Sequence, residues 1–413
     1  MHISSIKMKN FRCYENTTVD FHTSNSKDSE SNNITLLLGN NGSGKTSILK
    51  AIALAVLGPV IRDSGYKPEF LVRRCPKAKK NPTANVSATL QLSGQDLNIA
   101  KKFKAGIARS QAATTISLRG DYESINAKHK NSGSIDLNET NPKQINIDGL
   151  FDNDSPAYFI VGYGATRRVA SPNSSDVSQD KRRGLRYQRV AGLFEDYIAL
   201  WPMKLWYPSL KTKRQSEVNA LINKLVPEDI SFDGEFSEFQ PVFKHRGISL
   251  PFTALSDGYR AFIGLVADLL FHLSHTCPAN RKLIDLNGIV LVDDIDLHLH
   301  PSWQRTVLSN LAASLPSLQF IVTSHSPLVA GSLYADNIRV VESLLNTPPA
   351  VKQYNEQVHG LNSDQILTSS YFGLNSTRSP EAVQKLSNLA DQIGKRTSPD
   401  ASIAFLKQLT NNK

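Results

Sequence analysis

Cysteine is scarce in this chain. The three present, Cys13, Cys75 and Cys277, are odd in number and widely separated. They supply neither a disulfide framework nor the paired spacing of a structural zinc site, a usage that suits a reducing cytoplasm. Long hydrophobic runs are also missing. No apolar stretch reaches the ~20 residues that a bilayer-spanning helix requires. The opening residues, MHISSIKMKNFRCY, lack the apolar core of a secretory signal. The expected setting is therefore the cytoplasm, with no membrane contact. No segment keeps a heptad pattern over several repeats, which excludes long coiled-coil arms.

Of the 413 residues, 40% are hydrophobic, enough for one large α/β domain with insertions or for two or three average domains. The net charge of +10 permits nucleic acid, DNA or RNA, as a partner without establishing it.

Residues 34–50, ITLLLGNNGSGKTSILK, hold the strongest signal. An apolar strand enters the loop Gly39, Asn40, Asn41, Gly42, Ser43, Gly44, Lys45, Thr46, and a helix follows from Ser47. The glycines let the backbone curl until successive N–H groups face one point, and the helix start adds its positive dipole end. Lys45 is placed to neutralise the β- and γ-phosphates of ATP, and Thr46 to offer a hydroxyl to Mg²⁺. Strand, G-x-x-x-x-G-K-[ST] and helix together predict nucleoside triphosphate binding.

Around this loop the pattern predicts two short strands over 2–21, a solvated loop over 22–33, and a helix ending near Gly58 and Pro59. A basic patch (Arg73, Arg74, Lys77, Lys79, Lys80) precedes a hairpin of 86–92 with 97–103. Residues 106–156 read as a long polar excursion with one or two short strands. A buried strand at 157–161 leads into a basic segment, Lys181, Arg182, Arg183, Arg186 and Arg189. A helix built on Leu193, Phe194, Tyr197, Ile198 and Leu200 comes next, then another over 213–225. The second half reads as a helix from Asp257, a strand at 288–292, a helix over 301–314, and strands at 320–322 and 338–341. After about residue 345 the chain turns polar, with a helix at 380–393. The domain expectation is 1–165 as the first part of an ATPase core, 166–245 as a helical, basic insertion, 246–345 as the second part of the core, and 346–413 as a helical appendage.

Three constellations in the second half carry chemistry. The run GIVLVDD ends a strand in two acids. Asp293 is the metal-side residue, holding Mg²⁺ through water, and Asp294 the base that orients or deprotonates the attacking water. The following Asp296, His298 and His300 would share a face if the strand continued, a zinc reading that lacks a further His/Cys cluster to complete it. Thr323, Ser324, His325 and Ser326 end the next strand, where ligands sit in open α/β sheets. There His325 can meet the γ-phosphate or the attacking water. Ser256, Asp257 and Gly258 open a helix and form a second anion site. One phosphate does not need both loops of one chain, so a second copy, a homodimer or higher oligomer, is expected to use it.

Together these motifs resemble the ABC-type ATPases. More narrowly they resemble the RecF, SMC and OLD-like heads grouped as bacterial AAA-family ATPases. GNNGSGKT matches Walker A, LSDGYRAF the signature motif, LVDD Walker B, and His325 the switch histidine. His300 falls where the D-loop acid lies in such heads. The opening IKMKNFRCY resembles their first hairpin, in which Arg12 would lie close to the nucleotide. With HLHPSWQRTV and QFIVTSHSPLVA, the likeness extends to ATPase subunits of anti-phage systems such as Septu and retrons. It implies an ATP- and Mg²⁺-dependent, dimerising ATPase that controls a separate effector, an HNH-type nuclease, with a retron reverse transcriptase or nucleic acid as a further partner. Neither an HNH pattern nor a Toprim-like acidic set after residue 345 occurs in this chain. Rival readings are a RecF-like DNA-binding repair ATPase and a P-loop small-molecule kinase.

Two departures from the family pattern stand out. Asp294 occupies the place of a catalytic Glu, drawing the carboxylate back by roughly 1.5 Å, and the expectation is slow hydrolysis and a long-lived ATP-bound dimer. Gly162, Tyr163 and Gly164 stand where the Q-loop glutamine would follow. Either backbone and Arg167 replace it, or the correspondence of this segment is displaced.

Overall fold

The apolar run after residue 33 forms β3 (Ile34–Leu38), with all five residues buried. A strand covered on both faces belongs in the interior of a parallel sheet, and the computed structural model places it there. Its sheet contains β7 (Ile160–Tyr163), β14 (Gly288–Val292), β15 (Leu318–Ser324), β16 (Ile338–Glu342) and β17 (Ala350–Lys352). The order is β17-β16-β3-β15-β14-β7. Every pair is parallel except β17 with β16. The structure describes residues 1–21, 33–74, 82–94, 96, 98, 110–119, 122–131, 155–169, 184–196, 198–238, 240–343, 347–395 and 403.

A second, antiparallel sheet is built from β1 (His2–Phe11), β2 (Tyr14–Asp20), β4 (Thr83–Gln91), β5 (Ser110–Arg119) and β6 (Tyr122–Asn131), in the order β2-β1-β4-β5-β6. Helix α1 (Lys45–Asp63) packs against both sheets. A helix in that position needs apolar residues on nearly every side, and Ile48, Leu49, Ile52, Leu54, Val56 and Ile61 are all buried. Thr114 Oγ1 of β5 donates to Leu54 O at 2.7 Å. The buried Gln319 of β15 holds Ile3 of β1 by both its N–H and its C=O, at 2.7 and 2.9 Å, which locks the two sheets together.

Several expectations are corrected. The first helical piece does break close to Gly58 and Pro59, but a second piece continues it to Asp63. Leu57 leaves helical geometry (φ −111°, ψ 22°), so Pro59 falls in the first turn of a second helical piece, where its missing N–H leaves no gap. The strand expected at 86–92 is real, but it pairs with β1 and β5; its expected partner over 97–103 lies almost wholly outside the described residues. The polar excursion contains two strands, as expected, but β5 and β6 are ten residues each and not short. Apart from Ser155 and Pro156, its remainder, with the solvated loop over 22–32 and Lys77, Lys79, Lys80, Lys181, Arg182 and Arg183, also lies outside the described residues. The strand expected at 157–161 begins three residues later, at Ile160.

The largest correction concerns the basic segment. Its described residues from Leu185 on form the helix, α2 (Leu185–Ala191), and the helix expected around 193–200 is a turn followed by a two-residue strand. Arg186 and Arg189 are only 1% and 2% exposed. Arg186 Nη2 donates to the carbonyls of Ser155 and Ala157 at 2.9 and 2.8 Å. Arg189 donates to Thr276 Oγ1 at 2.8 Å, with its guanidinium over the Phe159 ring. These are structural cations, whereas the sequence pattern reads them as surface charge.

Residues 166–245 are not wholly helical either. After α3 (Met203–Trp206) and α4 (Thr212–Leu225) comes a small antiparallel sheet of β10 (Ile230–Ser231), β11 (Phe236–Ser237), β12 (Gln240–His245) and β13 (Ile248–Pro251), while β8 (Arg168–Val169) and β9 (Ala199–Leu200) form a separate parallel pair. Helix α5 (Asp257–Thr276) follows as expected, and the 301–314 helix divides into α6 (Pro301–Gln304) and α7 (Val307–Ser314). The chain forms two compact units, Met1–Gly360 and Leu361–Lys413. The second contains α8 (Ser363–Thr368), opened by a capping box of Asn362 and Gln365, and α9 (Pro380–Lys395). Among the described residues, no helix is long and apolar enough to cross a membrane.

Candidate functional site

The parallel register brings four loops to one edge of the sheet. Leu38 lies beside Ser324, Val322 beside Val292, and Val292 beside Tyr163. The chain therefore leaves β3, β15, β14 and β7 with Gly39, His325, Asp293 and Gly164 side by side, at the carboxyl ends where α/β sheets bind ligands.

The phosphate loop turns on Gly44, at φ 109°. A Cβ there would stand 2.7 Å from Cys13 Sγ and 2.8 Å from Tyr14 Oη, so both conformation and space require glycine. Tyr14 Oη donates to Gly44 O at 3.2 Å and Arg12 Nε to Ser47 Oγ at 2.9 Å, which ties the turn of the first hairpin to the start of α1. Lys45 Nζ donates to Gly39 O at 2.8 Å and Asn40 O at 3.1 Å, and lies 2.9 Å from His325 Nε2. Ser43 Oγ is buried with no hydrogen-bond partner. Asn41, Gly42, Lys45, Thr46 and Arg12 line a cleft of about 440 Å³ with Asp294 and His325.

Thr46 Oγ1 donates to Asp293 Oδ2 at 2.6 Å. Their all-oxygen donor set at the mouth of a polyphosphate cradle suits Mg²⁺. Asp293 Oδ1 accepts from Thr323 Oγ1 at 2.6 Å, and Thr323 Oγ1 in turn accepts from Asp294 N at 2.8 Å. Asp294 Oδ1 lies 3.8 Å from His325 Nε2. Burial pushes the Asp294 carboxyl above its ordinary range, and the neighbouring Asp293 charge adds to the shift. Burial depresses the Lys45 ammonium, against the opposing pull of Asp294, Asp293 and Asp296. A base with a raised pKa beside a cation and a histidine is an arrangement for activating water next to a phosphate.

Ser256, Asp257, Gly258 and His300 do not enter this cleft. Ser256 and Asp257 are exposed at the start of α5, and the Ser256 side chain makes no capping hydrogen bond. Gly258 lies against the His298 carbonyl, where a Cβ would come within 2.6 Å. His300 is exposed and caps α6, with its Nδ1 2.8 Å from Ser302 Oγ. Asp296, His298 and His300 share no strand face on which zinc could be held: the segment is a series of turns, Leu297 N to Asp294 O and Leu299 N to Asp296 O.

Two residues carry more of the geometry than their sequence signal implied. Thr323 bridges both acids, although it reads only as part of a polar cluster. Arg167 is partly buried, and its guanidinium donates to the carbonyls of Asp293, Asp294 (2.8 Å) and Gly164 (3.1 Å). It clasps the backbone of the acidic turn from the position where a Q-loop glutamine was sought. Arg167→Met is expected to lower ATP turnover about 10-fold or more, because removing charge-assisted bonds loosens the acids by fractions of an ångström. ATP affinity measured calorimetrically should stay within about threefold, since no phosphate-loop contact is touched.

A family model described as "AAA domain" matches residues 5–182. A second, described as "AAA domain, putative AbiEii toxin, Type IV TA system", matches residues 165–331. The chain is 28% identical to the Septu protein PtuA of Bacillus mycoides over 91% of its own length and 45% of that protein's. It is 25% identical to the retron Vc95 probable ATPase of Vibrio cholerae, over 76% of this chain and 70% of the relative. The chain thus spans about half the length of the Septu relative. Among solved structures, an SMC head bound to the C-terminal winged-helix domain of ScpA superposes with a TM-score of 0.51 at 18% identity, covering 86% of this chain and 98% of that one. That likeness establishes a shared SMC/ABC head fold.

Proposed function

We propose a working cycle for this chain, which belongs to the AAA-type ATPases related to SMC and ABC heads and is homologous to the Septu and retron ATPases. ATP·Mg²⁺ occupies the cleft of one copy, with Lys45 on its phosphates and Thr46 and Asp293 on the metal. The Ser256 helix start of a second copy closes over the γ-phosphate, and His300 approaches from the same side. Hydrolysis, with Asp294 as base and His325 beside the γ-phosphate, reopens the pair. The observation that carries this reading is the separation of one chain's two anion-binding loops. The phosphate loop is walled into a cleft, while Ser256 is exposed outside it with an unused hydroxyl.

The test is light scattering with and without ATP·Mg²⁺. Nucleotide is expected to drive association of the wild-type chain. Ser256→Arg should bind ATP normally yet fail to associate. A wild-type assembly indifferent to nucleotide would remove the cycle.

The relatives' names place such ATPases in Septu and retron systems. From that we infer that the ATP-closed form holds a separate effector, a nuclease, in check or releases it during anti-phage defence. The DNA-clamp alternative loses Arg186 and Arg189, both committed to internal carbonyl, hydroxyl and ring contacts.

A further inference from the structure

The cleft that holds the phosphate loop has a second wall with no part in phosphate chemistry. Residues 70–74 lie along the first hairpin. Arg12 N donates to Leu71 O at 2.8 Å and Arg73 N to Asn10 O at 3.0 Å. A buried carboxylate pins the same stretch from the other side, with Glu123 of β6 accepting from Leu71 N at 2.8 Å and Val72 N at 3.0 Å. Two backbone bonds to one buried carboxylate fix the loop rigidly against the sheet. Phe70 and Arg74 at its ends line the phosphate cleft with Val72.

Phe70 is held outward. Its ring is 62% exposed, and no other phenylalanine among the described residues is as exposed. Its backbone sits at φ 55°, a left-handed conformation rare for a bulky residue and usually retained only where the surroundings impose it. The Arg74 guanidinium stands 4.4 Å from the ring centroid, within cation–π range. An aromatic face with a cation against it, on a rigid loop, is the ordinary means of capturing a nucleobase without reading its edge. The phosphates are taken at Lys45 and the helix start, which leaves the base to meet the opposite wall.

We propose that Phe70 is the stacking platform for the base of the bound nucleoside triphosphate, with Arg74 supporting the ring. This rests on the nucleotide reading of the phosphate loop, and the test separates the two. Calorimetric affinities for Mg·ATP and Mg·tripolyphosphate are compared in the full chain for wild type, Phe70→Ala and Phe70→Trp. Phe70→Ala should weaken ATP about 10-fold or more, within the range that base–aromatic stacking supports, and leave tripolyphosphate unchanged. Phe70→Trp should retain ATP affinity. An ATP affinity unaltered in Phe70→Ala overturns the platform; if self-association is lost at the same time, Phe70 belongs to an interface between copies. Equal weakening of both ligands also overturns it, since that reports a collapsed loop. Wild type that binds neither ligand overturns the nucleotide reading itself.

Discussion

Lys45→Ala is expected to abolish measurable ATP binding, weakening it at least about 100-fold, while the nucleotide-free protein melts no lower than wild type. The first half follows from charge-assisted bonds to two phosphates, each worth ~1.5–3 kcal/mol. The second follows from the ammonium's surroundings. Burial depresses its pKa, so the charged form is disfavoured by the fold. A lysine so shifted adds stability only above its ordinary pKa, near 10.4, and that contribution is lost as pH falls through the depressed value. Below that ordinary pKa the buried group therefore opposes folding. Removing it relieves that opposition and offsets the loss of the bonds to Gly39 O and Asn40 O. Calorimetry with ATP and thermal melting without it give the two readouts. Retained micromolar affinity, or a melting point lowered by many degrees, would refute the assignment.

Asp294→Glu is expected to speed ATP turnover, by up to about 100-fold. The carboxylate regains the C–C bond whose absence holds it back, and ångström-scale misplacement costs on that order. A local reason for the short side chain exists. Asp294 sits at φ 45°, a region where Asp is enriched several-fold among non-glycine residues. The longer residue should therefore cost some stability, under about 1 kcal/mol. The raised pKa of Asp294 carries a further expectation. A base must be ionised to act, so turnover should decline with acidification beginning above the ordinary aspartate range. Asp294→Asn should remove that limb along with the activity. Turnover unchanged in both variants would mean that another group activates water.

The elements legible from sequence were those whose signal is short and local. The phosphate loop, the strand run before Asp293 and the apolar stripe of α5 each declare themselves within twenty residues, and the parallel register then gathers their ends. What escaped depends on partners far along the chain. Arg186 and Arg189 look like solvated charge because the carbonyls of Ser155 and Ala157 and the Phe159 ring, which absorb them, carry no sequence mark. The one or two short strands expected in the polar excursion are β5 and β6, but their ten-residue length and their pairing with β4 and each other escaped, since that pairing rests on backbone bonds between segments rich in Ser, Thr and Asn. The roles of Arg167 and Glu123 are likewise backbone-directed, and a side chain that serves distant main-chain groups leaves no motif.

The position of β3 between β15 and β16 bears on how the protein is made. The strand that ends at Gly39 is flanked on both sides by strands that a ribosome delivers almost three hundred residues later. Until residue 325 has emerged the phosphate-loop strand lacks β15 and Lys45 lacks His325, and β16 follows only at about residue 341. Contacts of such long range fold slowly, and a nascent chain exposes its apolar edges meanwhile. Synthesis should therefore yield nucleotide-binding protein in a single late step, and truncations before β16 should be insoluble and not partially active.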